Sequence, residues 1–369
     1  FNESGLMSID IPASVITIGE GAFKLCRSLA EVNIESNGTT IDEKAFLDSP
    51  QVSSITLTLN NNDSLNVIEK LDKSKIKSVT LGDGVTSIAD NAFQGCTGLT
   101  SLSIPDSVKT IGNSAFRGCN ALNSVDIGTG VTSIAENAFQ GCTSLTSITI
   151  PDSVETIGNA AFFGCSNLES VIIGSSVTST NSAFGDCNKL TSVELRSNEA
   201  VTDFRTIFPT CQNINSVTIG EGVTEIGNRA FQSCSGLTSI NISDTVRSIG
   251  NSAFYLCKSL TSISIPDSVE SIGTNVFYDL SGLTSVKLGN GLRSIGEGAF
   301  YGTGLTSITL PNSVNSVGKN AFYTCGSLKS VTIPDSVTSI GAQAFASCNN
   351  LDSVTFSGTS EPANVGTVF

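Results

Sequence analysis

One pattern, L-T-S-I-T-I-P-D-S-V-T-S-I-G-N-x-A-F-x-G-C, returns along almost the whole of this chain. Its Phe marks the register at Phe23, Phe46, Phe93, Phe116, Phe139, Phe162, Phe184, Phe208, Phe231, Phe254, Phe277, Phe300, Phe322 and Phe345. Most steps are 23 residues; the exceptions are 22 (162 to 184 and 300 to 322), 24 (184 to 208) and 47 (46 to 93). The step of 47 hides a degenerate unit carrying Asn60-Asn61-Asn62 and Lys70-Leu71-Asp72-Lys73. A unit this short cannot bury its own apolar face, so copies must stack on one another into a shared core. The chain is therefore expected to be a solenoid.

Within one unit the elements follow from residue type. Leu99, Leu102 and Ile104 fit L-x-x-L-x-L, and Ser101 and Ser103 alternate with the last two. That period of two predicts a short strand with one buried face. Pro105-Asp106-Ser107 ends it, because Pro has no N–H for a ladder and Asp-Ser favours a turn. Val108 and Ile111 return to the core, and Ala115-Phe116 is expected on a short helical or 3-10 turn. Sixteen such strands, from 6–11 to 351–356, at ~4.8 Å spacing would make a parallel sheet on the order of 75 Å long. The whole of 1–369 reads as one solenoid, with irregular units at 58–75 and 196–211. The final Asn364 to Phe369 reads as a decayed I-G-x-x-A-F, and both ends look truncated within a repeat.

The units I-P-D-S-V-x-x-I-G-x-x-A-F-x-x-C resemble the BspA-like leucine-rich-repeat family over nearly the full chain. The resemblance implies a leucine-rich-repeat solenoid (an α/β repeat fold), with a parallel sheet on a concave face and short turns on a convex one. It also implies an extracellular or cell-surface protein of the kind tied to adhesion and to binding host proteins or other cells. No ligand residues carry over, since the shared motif is the structural core.

Charge narrows the partners. The net charge is −14 with no basic stripe, which argues against nucleic acid and against charge-driven binding to anionic lipid. There is no apolar run of about 18 residues, so no membrane span is expected. The acids recur in the P-D-S-V turns, at Asp106, Asp152, Asp267 and Asp335, and read as a solvated rim. Asn2, Asn37, Asn62 and Asn241 open N-x-S/T triplets, which are candidate glycosylation sites in a secreted eukaryotic protein.

Catalysis and metals are disfavoured by what is missing. There is no His, hence no Ser-His-Asp or Cys-His pairing and no His-bearing zinc site, and there is no C-x-x-C and no phosphate loop. No catalytic residue, cofactor or metal ligand is assigned, and an enzyme is not expected. The eleven cysteines each lie three residues after the repeat Phe, a position held elsewhere by Ser49, Leu280 and Thr303. A position that accepts those residues is a packing site, so buried thiols are expected. Parallel Cβ vectors at stacked identical positions also make poor bridges, although a secreted location would favour one or two oxidised neighbours.

Recognition is then left to the outward strand positions. The third is Ser in nearly every unit, which is too constant to specify a partner. The fifth varies most between Asp126 and Lys287, through Thr149, Ile172, Glu194, Thr218, Asn241 and Ser264. These eight form the candidate binding surface, for a protein or a glycan. Tyr255, Tyr278, Tyr301 and Tyr323 follow the repeat Phe in four successive units, as either a contact stripe or packing between units. The alternative function is a structural protein that self-associates end to end through exposed repeat ends.

Overall fold

The fold is described from a computed structural model covering residues 1–180, 182–196, 204–357 and 368. The chain packs as two compact units, Phe1–Leu190 and Thr191–Phe369. Each is a parallel β-solenoid.

In the first unit the long strands Ser8–Ile11, Glu31–Ser36, Ser54–Asn61 and Ile76–Gly84 form one sheet in that order. Further on, Ser101–Ile104 pairs with Ser124–Ile127, and Ser147–Ile150 with Ser170–Ile173. Registers are like to like: Ser101 faces Ser124, and Ile104 faces Ile127. Apolar and hydroxyl positions alternate within the strands, so the register holds the alternating Leu, Val and Ile on the inner face, with Ile172 the outward exception in this unit. Leu102 and Ile104 are buried, whereas Ser101 and Ser103 are exposed.

In the second unit Ser192–Leu195, Ser216–Ile219 and Ser239–Ile242 pair in order. Ser262–Ser264 pairs with Ser285–Lys287, and Ser307–Thr309, Ser330–Ile333 and Ser353–Phe356 follow as a three-stranded sheet. Among the described residues of the two units there are sixteen long strands, as expected.

A second ladder runs beside the first. The V-x-x-I segment holds two-residue parallel strands, among them Thr110–Ile111, Ser133–Ile134 and Thr156–Ile157 in the first unit. The second unit has a six-stranded counterpart from Glu225–Ile226 to Ser339–Ile340. Two residues are too few for period-two alternation to show, so the sequence placed Ile111 in the core without its strand.

The A-F segment departs from expectation. It is a run of turns rather than a helical or 3-10 turn. Two residues before Phe and two after it, the backbone enters the left-handed region: Asn91 at φ 58° and Gly95 at 76°, then Ser114 at 53° and Gly118 at 73°. Each such residue stops helical propagation. Local bonds (Gln94 N–H to Asn91 O, 3.0 Å) then alternate with bonds to the next copy of the repeat (Phe93 N–H to Ala115 O, 2.7 Å). Helical turns fall in the two irregular segments instead, at Asn62–Lys70, Lys73–Lys75, Phe204–Ile207 and Cys211–Asn213. The bond from Phe345 N–H to Val368 O, 2.8 Å, continues this third ladder to the decayed end, with Val368 in the Ala position. The rest of the 364–369 reading lies outside the described residues.

Inside the ladders the Phe rings stack. Centroids of Phe93, Phe116, Phe139, Phe162 and Phe184 are 4.9 to 5.1 Å apart in sequence, with planes within 10°. That spacing matches the strand repeat, so one ring per copy fills the core without a gap. Gly112 is one place where copies press too close for a side chain: a Cβ there would sit 2.6 Å from the Asp90 backbone nitrogen.

Candidate binding surface

The outward columns are set by the strand registers. Ser103 stands beside Asp126, Thr149 beside Ile172, Glu194 beside Thr218, Thr218 beside Asn241, and Ser264 beside Lys287. The first unit carries Asp126, Thr149 and Ile172. Asp126 and Thr149 are exposed, while Ile172 is half-buried by its neighbours and offers less apolar surface than its outward position suggests. The second unit carries the other five. Asn241, Ser264 and Lys287 are exposed, and Glu194 and Thr218 are half-buried.

Each unit has a shallow groove on this face. In the first it has a volume of about 460 Å³ and is lined by Ser78, Ser101, Ser103, Ser124, Asp126, Ser147 and Thr149 with Leu102 beneath. In the second it is about 360 Å³ and is lined by Ser285, Lys287, Ser307 and Thr309. Both offer rows of hydroxyls that donate or accept, with one charge of opposite sign in each. The Ser column, set aside at the sequence level for its constancy, thus lines the floor of both grooves. Glu194 forms an ion pair with Arg196, just past the end of its strand, at 2.7 Å, so its charge is partly answered locally.

The carboxylates of the P-D-S turns are more than a rim. Asp106 accepts from Thr129 N–H at 2.6 Å, Asp152 from Ser175 N–H at 2.8 Å, and Asp267 from Asn290 N–H at 2.7 Å. The following Ser reaches the other way. Ser107 donates to Val85 O, Ser153 to Val131 O and Ser336 to Val314 O, each at 2.7 Å. The Asp reaches forward one repeat and the Ser back one. The persistence of P-D-S at solvent-facing positions was the available signal for this role. In the irregular segment Asn62 takes over: its Oδ1 accepts from Thr86 and Ser87 N–H at 2.9 and 3.3 Å.

The four N-x-S/T asparagines are exposed. Two of their triplets also carry structural bonds. Thr39 is buried and donates to Val15 O at 2.8 Å, and Ser64 is buried within the cap of the Asn62–Lys70 helix.

The cysteine column is a line of thiols, ten of them buried and Cys348 half-buried. In regular copies each Sγ donates to the Phe carbonyl one repeat back: Cys119 to Phe93 at 3.1 Å, Cys142 to Phe116 at 3.3 Å, Cys257 to Phe231 at 3.1 Å. Burial pushes the thiols of Cys119, Cys187 and Cys257 up to about 12, and that of Cys96 up to about 11. Thiols held protonated in this way are packing groups rather than nucleophiles. Where Ser49 and Thr303 stand in the column, their hydroxyls also donate to Phe carbonyls, Phe23 and Phe300.

The tyrosines stack on one another. Tyr278 and Tyr301 lie 4.4 Å apart and Tyr301 and Tyr323 5.1 Å apart, with Tyr255 tilted against Tyr278 at 5.9 Å. Ring faces turned toward each other are not free to receive a ligand. Among the described residues no group of three or more His, Cys, Asp or Glu could hold a metal, and no helix is long and apolar enough to cross a membrane.

Comparison with known proteins follows from this geometry. The family described as BspA type leucine rich repeat region matches residues 1–71, 68–191, 180–284 and 270–365. No curated protein matches the chain. Among solved structures, a leucine-rich repeat protein from Bacteroides ovatus is 28% identical, covers 94% of this chain and 86% of its own, and gives a TM-score of 0.46. A leucine rich cell surface protein from Faecalibacterium prausnitzii is 24% identical over 96% and 88%, with a TM-score of 0.34. The leucine rich repeat protein of T. pallidum is 26% identical over 57% and 79%, with a TM-score of 0.35. The family is one of interaction repeats with no catalytic function indicated. Matched over nearly its whole length, the chain belongs to the BspA-type leucine-rich-repeat family.

Proposed function

We propose that the chain is a non-enzymatic interaction module of an extracellular or cell-surface protein, and that it recognises a protein partner through the outward strand columns. The observation that carries this is the pair of hydroxyl-floored grooves, each with one exposed charge from the variable column, Asp126 or Lys287. Rigid ladders hold these side chains at fixed spacing, which limits the ordering cost of binding. A protein is favoured over a glycan because no aromatic ring lines either groove, which leaves a sugar ring nothing to stack on there. The repeat register and the family match continue through both compact units, which supports one array over 1–369. Membership of a surface-protein family supports the location.

The test is a binding panel of extracellular proteins and immobilised glycans, read with the wild type, Asp126→Lys, Lys287→Glu and Arg117→Glu. Arg117 is exposed on the turn segment, away from the strand columns. Protein binding that weakens at least about tenfold in a strand-face variant and survives Arg117→Glu supports the reading. Binding lost only in Arg117→Glu, or only to glycans, would sink it.

A second reading, self-association, has one observation in its favour. Phe1, Met7 and Ile16 are 70%, 74% and 78% exposed around the first strand, and exposed apolar side chains beside a strand edge favour pairing with another copy.

A further inference from the structure

The cysteine column changes character at Cys211 and Cys234. In regular copies each Sγ finds a backbone carbonyl one repeat back. Cys234 would find Phe208 by that rule, but its Sγ lies 2.6 Å from Cys211 Sγ instead. The cause lies in the preceding sequence. The 24-residue step from Phe184 to Phe208 brings in the Phe204–Ile207 helical turn, and Cys211 opens the Cys211–Asn213 3-10 turn rather than a regular left-handed turn. The two cysteines are then no longer equivalent copies, and the parallel-vector objection to bridging neighbours is lifted. The strands of these copies, Ser216–Ile219 and Ser239–Ile242, pair in register, which sets the backbones one strand spacing apart. That spacing lies within the range a disulfide spans.

We propose that Cys211 and Cys234 are a disulfide site, oxidised as the chain folds in an oxidising compartment. The co-reactant is a disulfide, either low-molecular-weight or carried by an exchange catalyst. One cysteine thiolate attacks it, forming a mixed disulfide and expelling one thiolate. The second cysteine, deprotonated, attacks the protein sulfur of that intermediate, forms the Cys211–Cys234 bond and expels the other thiolate. The two protein thiols lose two electrons and two protons, and the reagent is reduced to two thiols. Cys211 and Cys234 are 0% and 1% exposed in the fold, and the contact with Cys211, followed by burial, raises the Cys234 thiol far above its ordinary value. Exchange therefore takes place before the core closes, and the folded reduced protein reacts slowly. The bridge ties the irregular copy to the regular one that follows it.

The test uses the full chain, refolded with and without a glutathione redox pair, then denatured, alkylated and mapped by non-reducing mass spectrometry. After refolding with the redox pair, the expected protein is lighter by two hydrogens, with a linked peptide pair containing Cys211 and Cys234. Cys211→Ser refolded in the same way should have every remaining thiol alkylated. Should that variant not fold, the wild-type map alone decides. Full alkylation of the eleven cysteines in the wild type, or a bridge at another neighbouring pair such as Cys325 and Cys348, would overturn the proposal.

Discussion

At the scale of single residues, the side chains that join one repeat to the next are hydrogen-bonding groups that look like surface. Asp106 accepts from Thr129 through both the backbone N–H and the hydroxyl, at 2.6 and 3.0 Å. Asp106→Ala should lower stability by about 1 kcal/mol in a urea melt, whereas Asp106→Asn should retain most of it, because the amide oxygen still accepts. Equal losses in both would assign the effect to charge instead. The thiols make a second test. For Cys96, Cys119, Cys187 and Cys257 the folded pKa lies above the ordinary value of 9.0, for Cys119 at about 12. The folded state therefore holds protons that the unfolded chain releases. The associated stability is complete below about pH 9 and is lost as pH rises toward 12. Melts between about pH 9 and 11 should show a loss on the order of 1 kcal/mol per pH unit for each thiol raised in this way, reduced in Cys119→Ala. The sequence allowed the thiols to be placed correctly, because Ser, Leu and Thr share their position. It did not reveal the Asp role, since an acid that caps a neighbouring repeat and an acid in water look alike in a single chain.

At the scale of elements, three ladders and one ring stack define the repeat. The long strands were legible because four alternating residues suffice to show a period. The second ladder was not, because Thr110–Ile111 is only two residues long. The A-F segment was expected as a helical or 3-10 turn, and the left-handed residues on either side of Phe, which a sequence does not display, make it a run of turns. The stack predicts a graded response. Phe139, fully buried between Phe116 and Phe162, should cost about 3–5 kcal/mol on change to Ala and clearly less on change to Leu. A Leu variant as damaging as Ala would mean that ring stacking outweighs filled volume.

At the scale of the whole molecule, function rests on what a rigid repeat displays. The candidate columns could be listed from sequence because register fixes which way each residue faces. Which of them share a groove could not, since Ser78 and Asp126 meet only through the stacking of intervening copies. A face that recognises other molecules leaves the chain a monomer, whereas the exposed Phe1, Met7 and Ile16 would direct it toward itself. Light scattering on a sizing column, over about a hundredfold range of concentration, separates the two. A mass staying near 38.1 kDa throughout is the result expected of an interaction module. A mass that climbs with concentration would contradict it and assign the chain to end-to-end assembly.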